Sequence, residues 1–208
     1  MIKPFESKPV KRTNLIIAQL AFAYLNMSLT EEELRQQLSQ PYQRTKAFSL
    51  VVRTYQERLY WHIRKMVMSH DDANDVLQNT FMKAWNGIEG FRGDSQLSTW
   101  LYRIATNETL TFLTNKRLRN NQSIDDVQGA LLQNLQADNY FNGNELQMKL
   151  QKAIVTLPDK QRLVFNMKYF EDITYEKMES ILGTSIGALK ASYHHAVKKI
   201  ERYFEENE

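Results

Sequence analysis

The stretch SIGALKASYHHAVKKI, residues 185–200, separates into two chemically different faces when it is arranged as a helix. One face is apolar, and its members recur at helical spacing: Ile186, Leu189, Tyr193, Val197 and Ile200. The roughly opposite face carries small, basic and imidazole side chains: Lys190, Ala191, His194, His195 and Lys198. The pattern predicts a helix that packs on one side and presents cations and imidazoles to solvent on the other.

A second amphipathic segment, TYEKMESIL at residues 174–182, precedes this helix and ends at Gly183. Glycine adopts the left-handed conformation that stops a helix and turns the chain sharply. Two helices joined by a glycine turn, the second with an exposed basic face, are typical of a helix-turn-helix, whose second helix enters the major groove of DNA. An ordinary helical hairpin with a solvated basic face has the same pattern, so this segment alone leaves both interpretations open.

Composition favours a helical protein of one large or two small domains. The chain has 208 residues, of which 42% are hydrophobic, and contains only 7 Gly and 4 Pro, too few for a turn-rich all-β fold. It has no Cys, which excludes disulfides, thiolate metal sites and a cysteine nucleophile and fits a reducing cytoplasm.

Charge is distributed unevenly although the net charge is only +3. Residues 116–119 (KRLR) and the helix from Lys190 to Arg202 are basic, whereas residues 121–142 contain three Asp and no Lys or Arg. Basic segments separated by an acidic, amide-rich joint indicate two modules that face nucleic acid and are connected by a tether.

Helical periodicity then divides the chain. It runs from residue 47 to about 119, is lost over residues 120–142, and resumes at residue 144. We expect an all-α fold of two small helical domains, residues 27–119 and 143–208, joined by a flexible linker at residues 120–142. Residues 1–26 are treated as an N-terminal extension. Their apolar run LIIAQLAFAYL is shorter than the roughly 20 residues that span a bilayer, and Met27, ahead of a capping box at Thr30 and Glu33, is a candidate start.

Catalytic chemistry finds little support in the residues. Two of the four His, His194 and His195, are adjacent and cannot share one helix face as metal ligands normally do. Neither a glycine-rich phosphate loop nor an HExxH motif occurs. We therefore predict no catalytic residue, no metal and no cofactor.

The segment FRGDSQLSTWLYRIATNETLTFLTNKRLR, residues 91–119, interleaves aromatic and cationic side chains. Aromatic rings that stack on bases, beside cations that follow the phosphates, are what a surface needs to hold single-stranded DNA. Burial in a core explains Trp100 more simply, and Phe112 is open to the same explanation. Phe91, which lies between Gly90 and Gly93, is harder to explain as core.

Three stretches, residues 71–85, 91–108 and 157–201, together resemble the extracytoplasmic-function (ECF) sigma factors of bacterial RNA polymerase. The resemblance keeps motif order and spacing from Ala47 to Tyr203, although PYQRTKAF replaces the usual entry to the first module. It implies a helical bundle called region 2, followed by a helix-turn-helix module called region 4.

The resemblance also implies roles for particular residues. A helix that docks on the β′ clamp would use Asp75, Gln78, Asn79 and Met82. The −10 promoter element would be bound and opened by Phe91, Arg92, Arg103, Asn107, Lys116, Arg117 and Arg119, with Phe91 and Asn107 forming a pocket for a flipped base. The −35 element would face Lys168, Lys190, Ser192, His194, His195 and Lys198. Many relatives carry Arg at positions 192 and 195, and Arg recognises guanine with two hydrogen bonds, so the preferred −35 sequence is left open.

The expected function is that of a cytoplasmic, non-catalytic transcription initiation factor. Its expected partners are core RNA polymerase, through the β′ clamp and the β flap, and promoter DNA, with no membrane insertion and with an anti-sigma factor left open. One alternative is a repressor or activator that dimerises and binds a palindromic operator without polymerase. The other is an all-helical enzyme or protein-binding scaffold with an incidental basic face.

Overall fold

The computed structural model describes residues 30–207 apart from residues 92, 121–123 and 137–144. Across these residues the chain forms helices and no strand, which confirms the all-α prediction. The helices are α1 (Glu31–Ser39), α2 (Pro41–Val67), α3 (His70–Gly87), α4 (Leu97–Asn120), α5 (Ile124–Gln136), α6 (Glu145–Val155), α7 (Asp159–Tyr169), α8 (Tyr175–Leu182) and α9 (Ile186–Glu206), with a single 3₁₀ turn at Ile88–Gly90.

Helix α1 begins with the capping box that the sequence predicts. The Glu33 backbone N–H donates to the Thr30 hydroxyl over 3.2 Å, and the Glu33 carboxylate accepts from the Thr30 N–H at 2.7 Å. The hydrogen bond from the Thr30 backbone N–H, and after it the one from the Thr30 hydroxyl, lower the pKa of the Glu33 carboxyl. The helix also fixes the start of α4, because the carboxylate of Glu31 accepts from the backbone N–H groups of Leu97 and Ser98. A carboxylate is favourable there because the N-terminus of a helix carries partial positive charge.

The first module is built around α2, which has 27 residues. It begins at Pro41, six residues before the predicted start of its apolar face. Proline is favourable in the first turn of a helix and therefore suits this start. It ends where Met68 adopts a left-handed conformation. Helix α3 then starts at His70 and is capped by Ser69, whose hydroxyl accepts from the Asp72 N–H. Helix α2 packs against α3 and α4. Its buried residues include Ala47, Val51, Leu59, Ile63 and Met66.

The segment between the modules differs from the tether that the sequence predicts, because it contains helix α5. Leu131 of α5 is buried in a small cluster with Met68, at the end of α2, and Val155, at the end of α6. The prediction of a tether overlooked Ile124, Val127, Leu131 and Leu135, which recur at helical spacing. The buried contact of Leu131 with both modules also stabilises the helix.

The second module is the predicted helix-turn-helix with α6 and α7 packed behind it. Gly183 adopts a φ of 64°, in the left-handed region, and ends α8 as expected. The hydroxyls of Thr174 and Ser185 cap α8 and α9 by accepting from backbone N–H groups at 3.3 and 3.4 Å. A buried cluster holds α9 against α6 and α7, and its members are Ala153, Ile154, Leu157, Phe165, Ala196 and Ile200.

The two modules pack directly on each other, which the sequence did not predict. Ile63 and Met66 of α2 belong to the same buried cluster as Val164 and Met167 of α7. Asn166 extends the contact, since its side-chain amide donates to the Lys65 carbonyl over 3.2 Å. Burial of apolar surface stabilises such a contact by about 25 cal/mol per Å². The arrangement in which the two modules are in contact is called the closed arrangement.

Candidate nucleic-acid interface

Helix α9 has the two faces that the sequence predicts. Leu189, Ala196 and Ile200 are buried against the rest of the second module. On the other side Lys190, His194, His195 and Lys198 are exposed, and Ser192 is half-buried. The helix therefore presents two imidazoles and the ammonium groups of Lys190 and Lys198 to solvent, while its other side is anchored from Leu189 to Ile200.

Lys168 lies near the end of α7, beside the start of the helix-turn-helix. Its ammonium group is 3.3 Å from the carboxylate of Asp172, which is almost fully exposed and has a left-handed φ of 47°. It also lies over the ring of Tyr175. The preceding helix thus contributes a cation to the same side of the module as Lys190.

Phe91 is packed more closely than its glycine-flanked position in the sequence indicates. It is half-buried beside the core of the first module, with its ring centroid 5.1 Å from that of Trp100. Asn107 is exposed on α4. Arg92, the neighbour of Phe91, lies outside the described residues.

Three of the cations assigned to the −10 element are engaged within the protein. The guanidinium of Arg103 on α4 donates to the carbonyl of Ser180 on α8. The ammonium of Lys116 is 2.6 Å from the Asp72 carboxylate, and Arg117 is 3.1 Å from that of Asp159. Two of these contacts, those of Arg103 and Arg117, join α4 to the second module. Arg119 at the end of α4 is exposed.

Helix α3 presents a polar strip on the side away from the core. Asp75, Gln78 and Asn79 are exposed, and Met82 is 56% exposed, while Val76, Thr80 and Ala84 face inward. Trp85 extends the strip. It is 39% exposed and contacts Phe48 edge-on at 5.1 Å. Sequence reasoning missed Trp85, although its spacing of seven residues from Gln78 places it on the same side of the helix.

Two further surfaces were not found from the sequence. The second module has an open apolar groove of about 490 Å³, in which the ring of Phe165 stacks between those of Tyr169 and Tyr193. A larger cleft of about 840 Å³ lies between the modules and exposes Trp61 and Phe170. The cleft is formed by residues more than a hundred positions apart, so no local pattern could indicate it.

Neither a metal centre nor a membrane span is evident in the part of the chain that the structure describes. No three His, Asp or Glu side chains converge there as metal ligands would. Within the same residues, no helix combines the length and the apolarity that crossing a bilayer requires.

Comparison with protein-family models identifies both modules. Residues 51–127 match the model for sigma-70 region 2, and residues 147–200 match the model for sigma-70 region 4. The two matches occur in the order that the sequence resemblance implies.

Curated relatives give the same result. The chain is 30% identical over 164 residues to the ECF RNA polymerase sigma-E factors of Escherichia coli and Salmonella typhimurium, which covers 75% of this chain and 85% of each relative. It is 32% identical over the same length to the Haemophilus influenzae protein of that name, covering 75% of this chain and 86% of the relative.

Two solved structures share the fold. One is CnrH in complex with the cytosolic domain of CnrY, with 18% identity, a TM-score of 0.61 and coverage of 84% of this chain and 97% of that one. The other is the sigma factor RpoE in complex with the anti-sigma factor NepR from Bartonella quintana, with 24% identity, a TM-score of 0.57 and coverage of 77% and 98%.

Proposed function

We propose that separate surfaces divide the work of this chain, which belongs to the extracytoplasmic-function branch of the sigma-70 family. The chain is an RNA polymerase sigma factor, and the family binds core polymerase and promoter DNA. The proposal concerns which residues do so. Helix α9 contacts the −35 element, α4 with the loop before it contacts the −10 element, and α3 docks on polymerase.

The observation that carries the proposal is the division of α9 into an anchored face and an exposed face. Leu189 and Ile200 fix the helix on the second module, and Lys190, His194 and His195 project from the other side. An imidazole both donates and accepts hydrogen bonds, which suits a base edge, and a lysine suits either guanine or a phosphate. A rigid helix with these groups on one side fits the major groove.

The −10 surface combines a ring, an amide and cations. Phe91 supplies the aromatic face on which an unstacked base rests, and Asn107 supplies an amide that can donate to and accept from a base edge. Arg103 contacts Ser180 of the second module in the closed arrangement. We infer that α8 moves away from α4 before Arg103 reaches DNA.

The polymerase surface is the polar strip on α3. Asp75, Gln78 and Asn79 offer carboxylate and amide groups, and Met82 and Trp85 add apolar area beside them. Aromatic residues and Met are enriched at the centres of protein interfaces, and charged groups at the rim improve specificity. The strip is therefore proposed to bind the β′ clamp.

The apolar groove of the second module is proposed to bind the β flap. Tyr169 is exposed at its edge, and its lining of Leu150, Phe165 and Val197 would be covered by an apolar segment of a partner. One of the two solved structures holds CnrH in complex with the cytosolic domain of CnrY, and the other holds the sigma factor RpoE in complex with the anti-sigma factor NepR. A protein that restrains this chain is a further proposed partner, with the cleft at Trp61 and Phe170 as its binding surface.

We also propose that the chain acts in the cytoplasm and catalyses no covalent step. Its contribution is binding energy that places polymerase and opens the duplex. The test is transcription in vitro with purified core polymerase from the source organism, followed by mapping of RNA 5′ ends. Specific starts that need both core and this chain, and that weaken when Lys190 and His195 are replaced by Ala, support the assignment. Starts that do not depend on the chain contradict it.

A further inference from the structure

Two lysines from different helices converge on one aromatic ring. The ammonium of Lys168, on α7, lies 5.7 Å from the centroid of the Tyr175 ring, and that of Lys190, on α9, lies 5.8 Å from the same centroid. Both distances fall within the roughly 6 Å over which the negative face of an aromatic ring attracts a cation. Tyr175 is the first residue of α8, so the ring lies at the entrance of the helix-turn-helix.

The charge environment of Glu176 agrees with this placement of both lysines near the start of α8. The pKa of Glu176, the next residue, is lowered first by hydrogen bonds from its own backbone N–H and from the Thr174 hydroxyl, and then by the charges of Lys190 and Lys168. The carboxylate of Asp172 lies 3.3 Å from the ammonium group of Lys168. The two ammonium groups therefore lie in one local cluster.

We propose that Tyr175 is a positioning residue that holds Lys168 and Lys190 together as a two-lysine clamp for the DNA backbone, an inference that rests on the proposed contact of the second module with DNA. Tyr175 itself was not among the residues expected to face the −35 element. The two lysines have separate origins in the chain, and the ring is the group that both of them contact.

The position of the ring favours phosphate over base contact. In a helix-turn-helix the first helix crosses the DNA backbone while the second enters the major groove. A group at the first residue of α8 is therefore close to the path of a strand rather than deep in the groove. Lysine also binds phosphate as a point charge, without the two-pronged geometry that distinguishes bases.

The ring matters because free lysines bind phosphate inefficiently. Each lysine side chain has about 2 kcal/mol of rotamer entropy, part of which is lost when the ammonium is fixed on DNA. A ring that already restrains both side chains reduces this loss, as preorganisation does in general. Clamping should raise affinity for any sequence and should leave the preference between sequences almost unchanged.

The test compares Tyr175→Leu with Tyr175→Phe. Leucine keeps apolar packing but removes the ring, whereas phenylalanine keeps the ring and removes only the hydroxyl. The full chain is titrated onto two labelled duplexes, one carrying the upstream element of a promoter mapped by transcription and one with that element scrambled. Binding is measured over a series of salt concentrations, and thermal unfolding of each variant checks that the module is folded.

We expect Tyr175→Leu to weaken binding to both duplexes by about 2- to 5-fold for each lysine released, the factor that an exposed cation–π contact represents. The slope of log K against log salt should become shallower by about 0.9 for each lysine that leaves its phosphate. Tyr175→Phe should match the unmodified chain. The proposal is overturned if Tyr175→Leu leaves affinity and salt slope unchanged. It is also overturned if Tyr175→Phe loses as much affinity for DNA as Tyr175→Leu does.

A lysine variant separates this inference from the function on which it rests. If Lys190→Met leaves affinity and salt slope unchanged, α9 does not contact DNA as proposed, and the clamp fails with it. If Lys190→Met weakens binding while Tyr175→Leu does not, the DNA contact stands and only the role of the ring is wrong. In a chain that already carries both Lys168→Met and Lys190→Met, Tyr175→Leu should have no further effect. If Tyr175→Leu weakens DNA binding in that chain as much as it does in the unmodified chain, the clamp is contradicted, even if Tyr175→Leu also lowers stability.

Discussion

The imidazole of His62 on α2 lies 3.1 Å from the carboxylate of Glu171, which follows α7, so that a buried polar contact joins the two modules. Because an ionised carboxylate only accepts, the His62 Nδ1 atom carries the proton. The other ring nitrogen is 3.0 Å from the Thr106 hydroxyl on α4. His62 is only 1% exposed, and Lys65 approaches the same carboxylate at 3.6 Å. Glu171 therefore stabilises the closed arrangement, because opening the modules would break its buried hydrogen bond to His62.

Glu171→Gln should therefore loosen the closed arrangement. The amide keeps the shape of the side chain but loses the charge, and a hydrogen bond to a charged group contributes about 1.5–3 kcal/mol. The distance between fluorophores on the two modules, measured by energy transfer in the free chain, should increase in the variant. Glu206→Gln removes a carboxylate from an exposed position and serves as the control. An unchanged distance in Glu171→Gln would show that apolar contacts alone hold the modules together.

Acid should open the modules through the same carboxyl. Burial by itself raises the pKa of Glu171, but His62 and then Lys65 outweigh it, so the pKa is lowered from the ordinary value of 4.5. The stabilisation is fully present above the pKa of the separated state and is lost as pH falls through the lower pKa of the closed state. An energy-transfer titration below pH 4.5 should show opening that Glu171→Gln lacks. Identical acid profiles for both proteins would exclude Glu171 as the responsible group.

Replacement of two residues in the α3 strip should weaken binding to core polymerase. Asp75→Ala combined with Gln78→Ala removes two polar contacts from the proposed interface, and we expect a loss of about 10-fold in affinity. Competition with a labelled sigma factor for purified core measures the effect. Gln56→Ala, an exposed residue on α2, is the matched control. If the double variant competes as well as the control, the docking surface lies elsewhere.

Phe91→Ala and Asn107→Ala should impair promoter opening more than they impair core binding. Phe91 packs on Trp100, so truncation to Ala also removes stabilising contacts. Phe91→Leu keeps much of the packing but loses the aromatic face, so it separates the loss of base stacking from the loss of stability. Opening is followed by the permanganate reactivity of thymines near the start site. A template with an unpaired bubble should restore transcription by these variants, and an equal loss of affinity for core would contradict this division of labour.

The features predictable from the sequence are those that local chemistry determines. The two faces of α9, the capping box at Thr30 and the left-handed turn at Gly183 follow from residues within a few positions of one another. The exposure of Asp75, Gln78 and Asn79 follows from the period of α3. These features suffice for the fold of each module and for the residues that face solvent.

Contacts between distant segments could not be predicted. Leu131 is buried because Met68 and Val155 contact it, and nothing within residues 120–142 indicates that these two residues lie there. His62 and Glu171 are 109 positions apart, and nothing near either residue marks the other as its partner. The Arg103 contact with Ser180 likewise depends on how the modules dock. The sequence therefore indicates which cations could face DNA, but it does not indicate which of them are engaged in the closed form.

The central claim is tested most directly by measuring retention of a mapped promoter fragment by the chain alone, by core polymerase alone and by their mixture. We predict weak, salt-sensitive retention by the chain alone, because each module makes few phosphate contacts. The mixture should retain the fragment specifically, because core holds both modules at the spacing of the two promoter elements and raises their effective concentration. Tight binding of a palindromic site by a dimer of the chain, unaffected by core, would contradict the account.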